Sequence, residues 1–236
     1  MEATSFSSRR EGSTTCPGGK RILFAALDPS APGIYSMNSD GTAVTRITIT
    51  PLGATDLQPV ALGKRVAFRR TFEGTQKIFA VNLDGTELIQ LTHGPQDGEF
   101  GTSPRGDLIA YASETGQQFG RDIYLLHVAS GGITQLTVSP TLYKAGISFS
   151  PDGKRIAFTR ADPGSVEAIF VMRTDGTQVT RLTAGYDFLP RWSPDGKRIA
   201  VTSFVRDGPG VYSILADGTD VRQVSAGTEF LWAWAR

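Results

Sequence analysis

Five glycines divide this chain into nearly equal parts. They are Gly19, Gly63, Gly106, Gly153 and Gly196, at steps of 44, 43, 47 and 43 residues. Each precedes a short β-rich run: Lys20-Arg21-Ile22-Leu23-Phe24, Lys64-Arg65-Val66-Ala67-Phe68, Asp107-Leu108-Ile109-Ala110-Tyr111, Lys154-Arg155-Ile156-Ala157-Phe158 and Lys197-Arg198-Ile199-Ala200-Val201. A fixed period of this length means that one supersecondary unit is stacked repeatedly, each copy burying its apolar surface against its neighbours. The period therefore constrains the fold more than any single residue does. It leaves the activity open.

Each unit reads as four strands. The basic run is apolar on both faces, as suits a strand sandwiched between neighbouring sheets. A second apolar run follows: Ile34-Tyr35-Ser36-Met37, Ile78-Phe79-Ala80-Val81, Ile123-Tyr124-Leu125-Leu126, Ile169-Phe170-Val171-Met172 and Val211-Tyr212-Ser213-Ile214. It ends in Asp-Gly-Thr at Asp40, Asp84, Asp175 and Asp217, and in Ser130-Gly131-Gly132 in the third unit. Asp-Gly predicts a tight hairpin with successive positive φ angles. An amphipathic edge strand comes next, with one aliphatic residue between solvated polar positions, as in Arg46-Ile47-Thr48 and Arg181-Leu182-Thr183. Its long polar side chain is expected to discourage edge-to-edge pairing. A short inner strand rich in Gly and Pro then leads into the next unit. Helical periodicity is absent, which excludes solenoids of helix pairs.

Four antiparallel strands per unit, stacked five times, predict an all-β five-bladed β-propeller. The blades are expected near residues 16–50 plus 229–235, 57–93, 99–138, 145–184 and 189–226. Phe230-Leu231-Trp232-Ala233-Trp234 aligns with the inner strand Phe188-Leu189-Pro190-Arg191-Trp192. Cys16-Pro17-Gly18-Gly19 continues where that strand stops. The C-terminal strand is therefore expected to complete the N-terminal blade and close the ring. Residues 1–15 are expected to be a disordered leader, and 16–236 a single domain.

Composition narrows the function classes. The 24 basic and 23 acidic residues nearly cancel, which argues against a nucleic-acid surface built on bulk charge. No run approaches a membrane span. The first residues lack the apolar centre of a secretory signal, so the sequence as it stands reads as cytoplasmic; removal of an export signal would make it periplasmic or extracellular. Cys16 is the only cysteine and leaves the redox compartment undetermined.

The Trp192-Ser193-Pro194-Asp195-Gly196-Lys197 string and the Asp-Gly-Thr…Leu-Thr string resemble the TolB-type, WD40-like (PD40) propeller repeat, over essentially residues 16–236. TolB itself carries an additional N-terminal domain and six blades, against five repeats here. The resemblance implies a binding scaffold, expected here to take a protein or peptide and to act as a monomer. Related propellers gate prolyl-oligopeptidase-type peptidases or form certain lyases. The chain could thus also be the propeller part of a larger TolB-like or peptidase protein.

No catalytic set emerges. Gly-x-Ser-x-Gly is absent. His93 and His127 are the only histidines, too few for a His-rich metal centre, and read as a turn residue and a blade-packing residue. No cofactor motif is found. One constellation remains: Asp56, Asp97, Lys144, Asp187 and Glu229 occupy aligned positions just before each inner strand. Repeated around a ring, they would line one channel mouth, an electronegative funnel for a divalent cation, an amine or a basic peptide. Alternatively, each carboxylate accepts hydrogen bonds in its own turn. Loop residues on the same face include Arg70, Glu73, Phe119, Arg121, Arg160, Asp162, Phe204 and Arg206, with Tyr143 and Tyr186 flanking inner strands. Such residues are candidate recognition anchors. An alternative is a hydrolase or lyase using paired carboxylates such as Asp187 and Glu229, which requires a separation of roughly 5 to 9.5 Å.

Overall fold

The computed structural model describes residues 10–15, 20–116, 120–139, 141–161, 164–206 and 208–227. The chain is all-β, with five antiparallel sheets of four strands, the blades of a five-bladed β-propeller. Blade 1 contains β1 (Arg10–Thr15), β2 (Arg21–Ala26), β3 (Gly33–Asn38) and β4 (Thr45–Arg46). Blade 2 contains β5 (Ala54–Leu62), β6 (Arg65–Phe72), β7 (Thr75–Asn82) and β8 (Ile89–Gln90). Blade 3 contains β9 (Asp97–Thr102), β10 (Leu108–Glu114), β11 (Arg121–His127) and β12 (Ile133–Gln135). Blade 4 contains β13 (Tyr143–Phe149), β14 (Arg155–Ala161), β15 (Ala168–Arg173) and β16 (Thr180–Arg181). Blade 5 contains β17 (Asp187–Trp192), β18 (Arg198–Ser203), β19 (Gly210–Leu215) and β20 (Arg222–Ala226). The chain divides into two compact units, Met1–Thr92 with blades 1 and 2, and His93–Arg236 with blades 3 to 5.

In the first unit, Leu23, Ala25, Ile34 and Ile47 of blade 1 face Val66, Phe68 and Val81 of blade 2. In the second unit, Ala110, Ile123 and Leu125 of blade 3 pack on Ile147, Ile156 and Phe158 of blade 4. Ala157, Ile169 and Val171 of blade 4 in turn pack on Trp192, Ile199 and Tyr212 of blade 5. The second and third strands of blade 4 are thus apolar on both faces because they lie between the sheets of blades 3 and 5. Each fully buried Ile or Phe in these layers contributes about 1.5–3 kcal/mol of hydrophobic stabilisation.

The inner strand of blade 1 is not where the repeat alignment puts it. Arg10–Thr15, expected as part of a leader, pairs antiparallel with β2, from Arg10 opposite Ala26 to Thr15 opposite Ile22. Pairing on an inner edge is made by backbone groups, so a polar segment can satisfy it. Residues 230–234, expected in that place, lie outside the described residues.

The inner strands also start earlier than expected, at 54, 97, 143 and 187. Each contains a register break against the second strand, at Leu57/Val60, Asp97/Phe100 (opposite Ser113 and Tyr111), Ala145/Ser148 and Phe188/Arg191. Three of these bulges have a positive φ residue, Gln58, Gly146 and Leu189. Gly146 is required there, because a Cβ would lie 2.9 Å from Thr159 Oγ1 and 3.1 Å from Pro190 Cδ. Bulge N–H groups reach the neighbouring blade: Gly146 donates to Glu99 Oε2 at 2.6 Å, and Leu189 to Thr159 Oγ1 at 3.2 Å.

The edge strands hold a further regularity. The threonine after the aliphatic residue is not solvated. Thr48, Thr92, Thr137 and Thr183 each accept, on Oγ1, the N–H of the isoleucine 14 residues earlier, at 2.9–3.0 Å. The long polar side chain before the aliphatic residue folds back onto the threonine carbonyl: Arg46, Gln90, Gln135 and Arg181 donate to it at 2.8–3.0 Å. It serves an orphan carbonyl.

The Asp-Gly-Thr turns are wider than a two-residue hairpin. Positive φ falls on the glycine and on the residue two positions later: Gly41 and Ala43, Gly85 and Glu87, Gly176 and Gln178, Gly218 and Asp220. The Asp side chain locks the turn instead. Asp40 Oδ1 accepts from Thr42 Oγ1 at 2.6 Å and from Thr42 N at 2.9 Å. Asp84, Asp175 and Asp217 repeat the arrangement. These carboxyls are held below their ordinary range, first by the threonine hydroxyl and then by its N–H. A depressed folded pKa gives stability that is present above the unfolded value of about 3.9 and is lost as pH falls through the folded one. Replacing Thr42, Thr86, Thr177 and Thr219 with valine should lower the melting temperature at neutral pH and shrink the acid-induced decrease below about pH 4. Melting curves collected across pH measure both effects.

Candidate functional site

The aligned polar positions sit inside the inner strands, not ahead of them. Asp56 pairs in register with Arg70, Asp97 with Ser113, Lys144 with Arg160 and Asp187 with Ser203. Their exposures are 1%, 0%, 1% and 0%, so these groups lie in the layers within and between sheets rather than on a solvated rim. Glu229 lies outside the described residues.

In the first unit, Asp56 is fully engaged. Arg70 donates through Nε to Oδ1 at 2.6 Å and through a terminal nitrogen to Oδ2 at 2.7 Å. Oδ2 also accepts from Thr48 and Thr50 of blade 1, each at 2.9 Å. The guanidinium lies 5.4 Å from the Phe68 ring and 5.2 Å from the Phe79 ring. A bidentate fork over an aromatic face satisfies a buried carboxylate in the way an arginine can and a lysine cannot.

In the second unit, Asp187 has the same solution with a different donor. Arg206, just past β18, gives it two bonds of 2.8 and 2.5 Å and lies 5.6 Å from the Tyr212 ring. Both oxygens of Asp187 are therefore taken by a blade-internal cation.

Lys144 reverses the polarity. Its Nζ donates to Asp122 Oδ1 at 2.9 Å, Arg121 O at 2.9 Å and Ser139 O at 3.1 Å. Asp122 also accepts from Thr137 Oγ1 at 2.8 Å and from the Ser139 N–H. Sequence reasoning missed Asp122. The signal was available within the chain: the residue before the isoleucine or valine is Gly33, Ala168 and Gly210 in three other blades. An acid appears there only in the blade next to the one whose inner-strand acid is a lysine.

The remaining candidates are dispersed. Arg160 lies on β14, 4.1 Å from the Phe170 ring. Tyr143 opens β13 beneath the Arg121 guanidinium, at 5.7 Å; burial, followed by Glu99, raises its pKa. Tyr186 meets Phe188 edge-on at 6.1 Å, and Phe188 meets Phe204 at 5.1 Å. These three rings form an aromatic group where β17 begins and the β18–β19 connection crosses. Among the described residues, no three His, Cys, Asp or Glu side chains are arranged to hold a metal ion.

Five blades of four antiparallel strands, with a buried polar residue near the start of the inner strand in blades 2 to 5, define a β-propeller. Residues 120–232 match the TolB beta propeller domain model, PD40. No curated protein sequence matches the chain. Among solved structures, a protein described as TolB from Agrobacterium tumefaciens is 24% identical, with TM-score 0.78, over 92% of this chain and 80% of that one. TolB from Acinetobacter baumannii is 21% identical, with TM-score 0.75, over 89% of this chain and 53% of that one; this chain spans about half its length. An oligogalacturonate lyase from Vibrio parahaemolyticus shares 14% identity, with TM-score 0.66, over 89% of this chain and 67% of that one. Identities this low establish a shared fold.

Removing one partner of a buried pair leaves an uncompensated charge, which costs about 3–5 kcal/mol. Lys144→Met should destabilise the protein by that amount in urea unfolding. Adding Asp122→Asn, which keeps an acceptor for Thr137 and Ser139, should recover at least half of the loss.

Proposed function

We propose that this chain is a non-enzymatic binding scaffold that recognises a protein or peptide through side chains at the loop ends of its blades. The reading rests on the aromatic group of blade 5. In a four-stranded antiparallel blade, the connection between the second and third strands lies at the end where the inner strand begins. That end carries exposed apolar residues. In the second unit these include Phe204 and Val205, 36% and 62% exposed, beside Tyr186 and Phe188. In the first unit they include Leu52, fully exposed, with Ile49 and Phe72. The opposite blade ends carry the self-satisfied Asp-Gly-Thr turns, whose carboxylates are already used internally. Aromatic side chains on loops of a rigid scaffold are the usual anchors of recognition.

A neighbour of this fold, sharing 16% identity, occurs in a nidogen/laminin complex, which fits a propeller used for protein contact. The lyase alternative has less support. Asp187, its candidate acid or base, is buried with both oxygens bound by Arg206.

Peptides selected from a displayed random library on the immobilised protein should include binders that depend on this surface. Combined Phe204→Asp and Val205→Asp substitution should weaken them at least about tenfold, the loss expected for an anchor contributing about 1.4 kcal/mol or more. Unchanged affinity in a variant that melts like the original would move recognition elsewhere. A selection that yields no binder would count against peptide recognition.

A further inference from the structure

The blades repeat one more device, and blade 3 lacks half of it. A cross-strand aromatic pair stacks in each of blades 1 to 4: Phe24 with Tyr35, Phe68 with Phe79, Tyr111 with Tyr124, and Phe158 with Phe170, at 5.7–5.9 Å between ring centres. A guanidinium lies over the ring of the third strand in blade 1 (Arg46 over Tyr35, 6.0 Å), blade 2 (Arg70 over Phe79) and blade 4 (Arg160 over Phe170). Blade 5, with the single ring Tyr212, has Arg206 there. In blade 3 no arginine takes that place among the described residues. Gln135 stands opposite Tyr124 where Arg46 stands opposite Tyr35, and its amide is committed to Asp122 and the Thr137 carbonyl.

The carboxylate of the device is nevertheless present. Asp97 is fully buried, and neither of its oxygens has a hydrogen-bond partner among the described residues. It occupies the register position of Asp56, but opposite it stands Ser113 where blade 2 has Arg70. Three residues further on, where blade 5 has Arg206, blade 3 has Gly116. The carboxylate lies close against Gly94 and Ser113. A Cβ on Gly94 would collide with Asp97 Oδ1 and would lie 2.8 Å from Ser113 Oγ. Asp97 adds to the burial that raises the pKa of Tyr111, and with Asp122 to the burial that raises that of Tyr124, so both phenols lie within its field. A buried, unpaired carboxylate costs several kcal/mol unless a counter-charge reaches it.

We propose that blade 3 takes a guanidinium-class cation as a ligand, seated between the Asp97 carboxylate and the Tyr111–Tyr124 rings. The ligand supplies what Arg70 and Arg206 supply in blades 2 and 5: a bidentate fork for the carboxylate and a cation for the ring face. A free guanidinium compound and the arginine side chain of a partner share this chemistry. This site is separate from the aromatic group of blade 5, so either can fail without the other.

The test uses the full chain and two probes, methylguanidinium and N-acetyl-arginine amide, at millimolar concentration. Either should raise the melting temperature by at least about 2 °C. A response to methylguanidinium alone identifies a free small cation, and a response to both admits an arginine side chain. Asp97→Asn should abolish the shift and, without probe, melt above the original protein. Ser113→Arg, which places a guanidinium at the position of Arg70, should also melt higher and be unresponsive. This second variant keeps the test decisive if Asp97→Asn does not fold. Three results would overturn the proposal: no shift in the original protein, a shift retained in Asp97→Asn or in Ser113→Arg, or a shift given by potassium or calcium chloride but by neither probe.

Discussion

A carboxylate buried at the start of an inner strand is costly to keep charged without a cation, and much of the polar structure follows from that cost. Desolvating an unpaired carboxylate costs more than a single hydrophobic contact returns. The chain offsets that cost by different covalent means. Arg70 comes from the strand beside Asp56, Arg206 from the loop beyond β18, and Lys144 with Asp122 exchanges the two charges across neighbouring blades. The geometry of the pair is kept while the residues that make it change. Stacking strengthens two of these solutions, because the same guanidinium that neutralises the acid also lies on an aromatic ring.

The sheet architecture was legible because it rests on backbone periodicity. Glycine spacing, paired apolar runs and repeated turn strings located the second and third strands and the turn after them. The first blade was misread for a related reason. Pairing along an inner edge needs N–H and C=O groups more than particular side chains, so the polar run Arg10–Thr15 carries little sequence signal for the strand it forms. The Asp-Gly turns were placed correctly and shaped wrongly. The following threonine supplies two donors to the aspartate, which makes a wider turn preferable to a two-residue hairpin.

The site was only partly legible. Alignment of the repeats selected Asp56, Asp97, Lys144 and Asp187 as one structural position, and the structure does place them equivalently. Their burial was not readable from one strand, because the counter-ions come from other elements at irregular spacing: 14 residues on for Arg70, 19 for Arg206, and 22 back for Asp122. The edge-strand threonines were missed in the same way. A Leu-Thr pair looks half solvated until the isoleucine N–H 14 residues earlier is seen to need an acceptor.

A repeat fold explains how one blade can hold a carboxylate without its partner. Each blade packs mainly on its immediate neighbours, so a local deficit in polar pairing is carried by the apolar layers on either side. Phe158, Ile156 and Ile147 of blade 4 bury Ile123 and Leu125 of blade 3 whether or not Asp97 is neutralised. Blade 3 is also where the Asp-Gly-Thr turn is replaced by Ser130-Gly131-Gly132 and where, among the described residues, no arginine lies over the stacked rings. In a chain whose other blades each hold a guanidinium against an aromatic ring, a blade with the acid and the rings but no guanidinium is the place where an external cation has the most to neutralise.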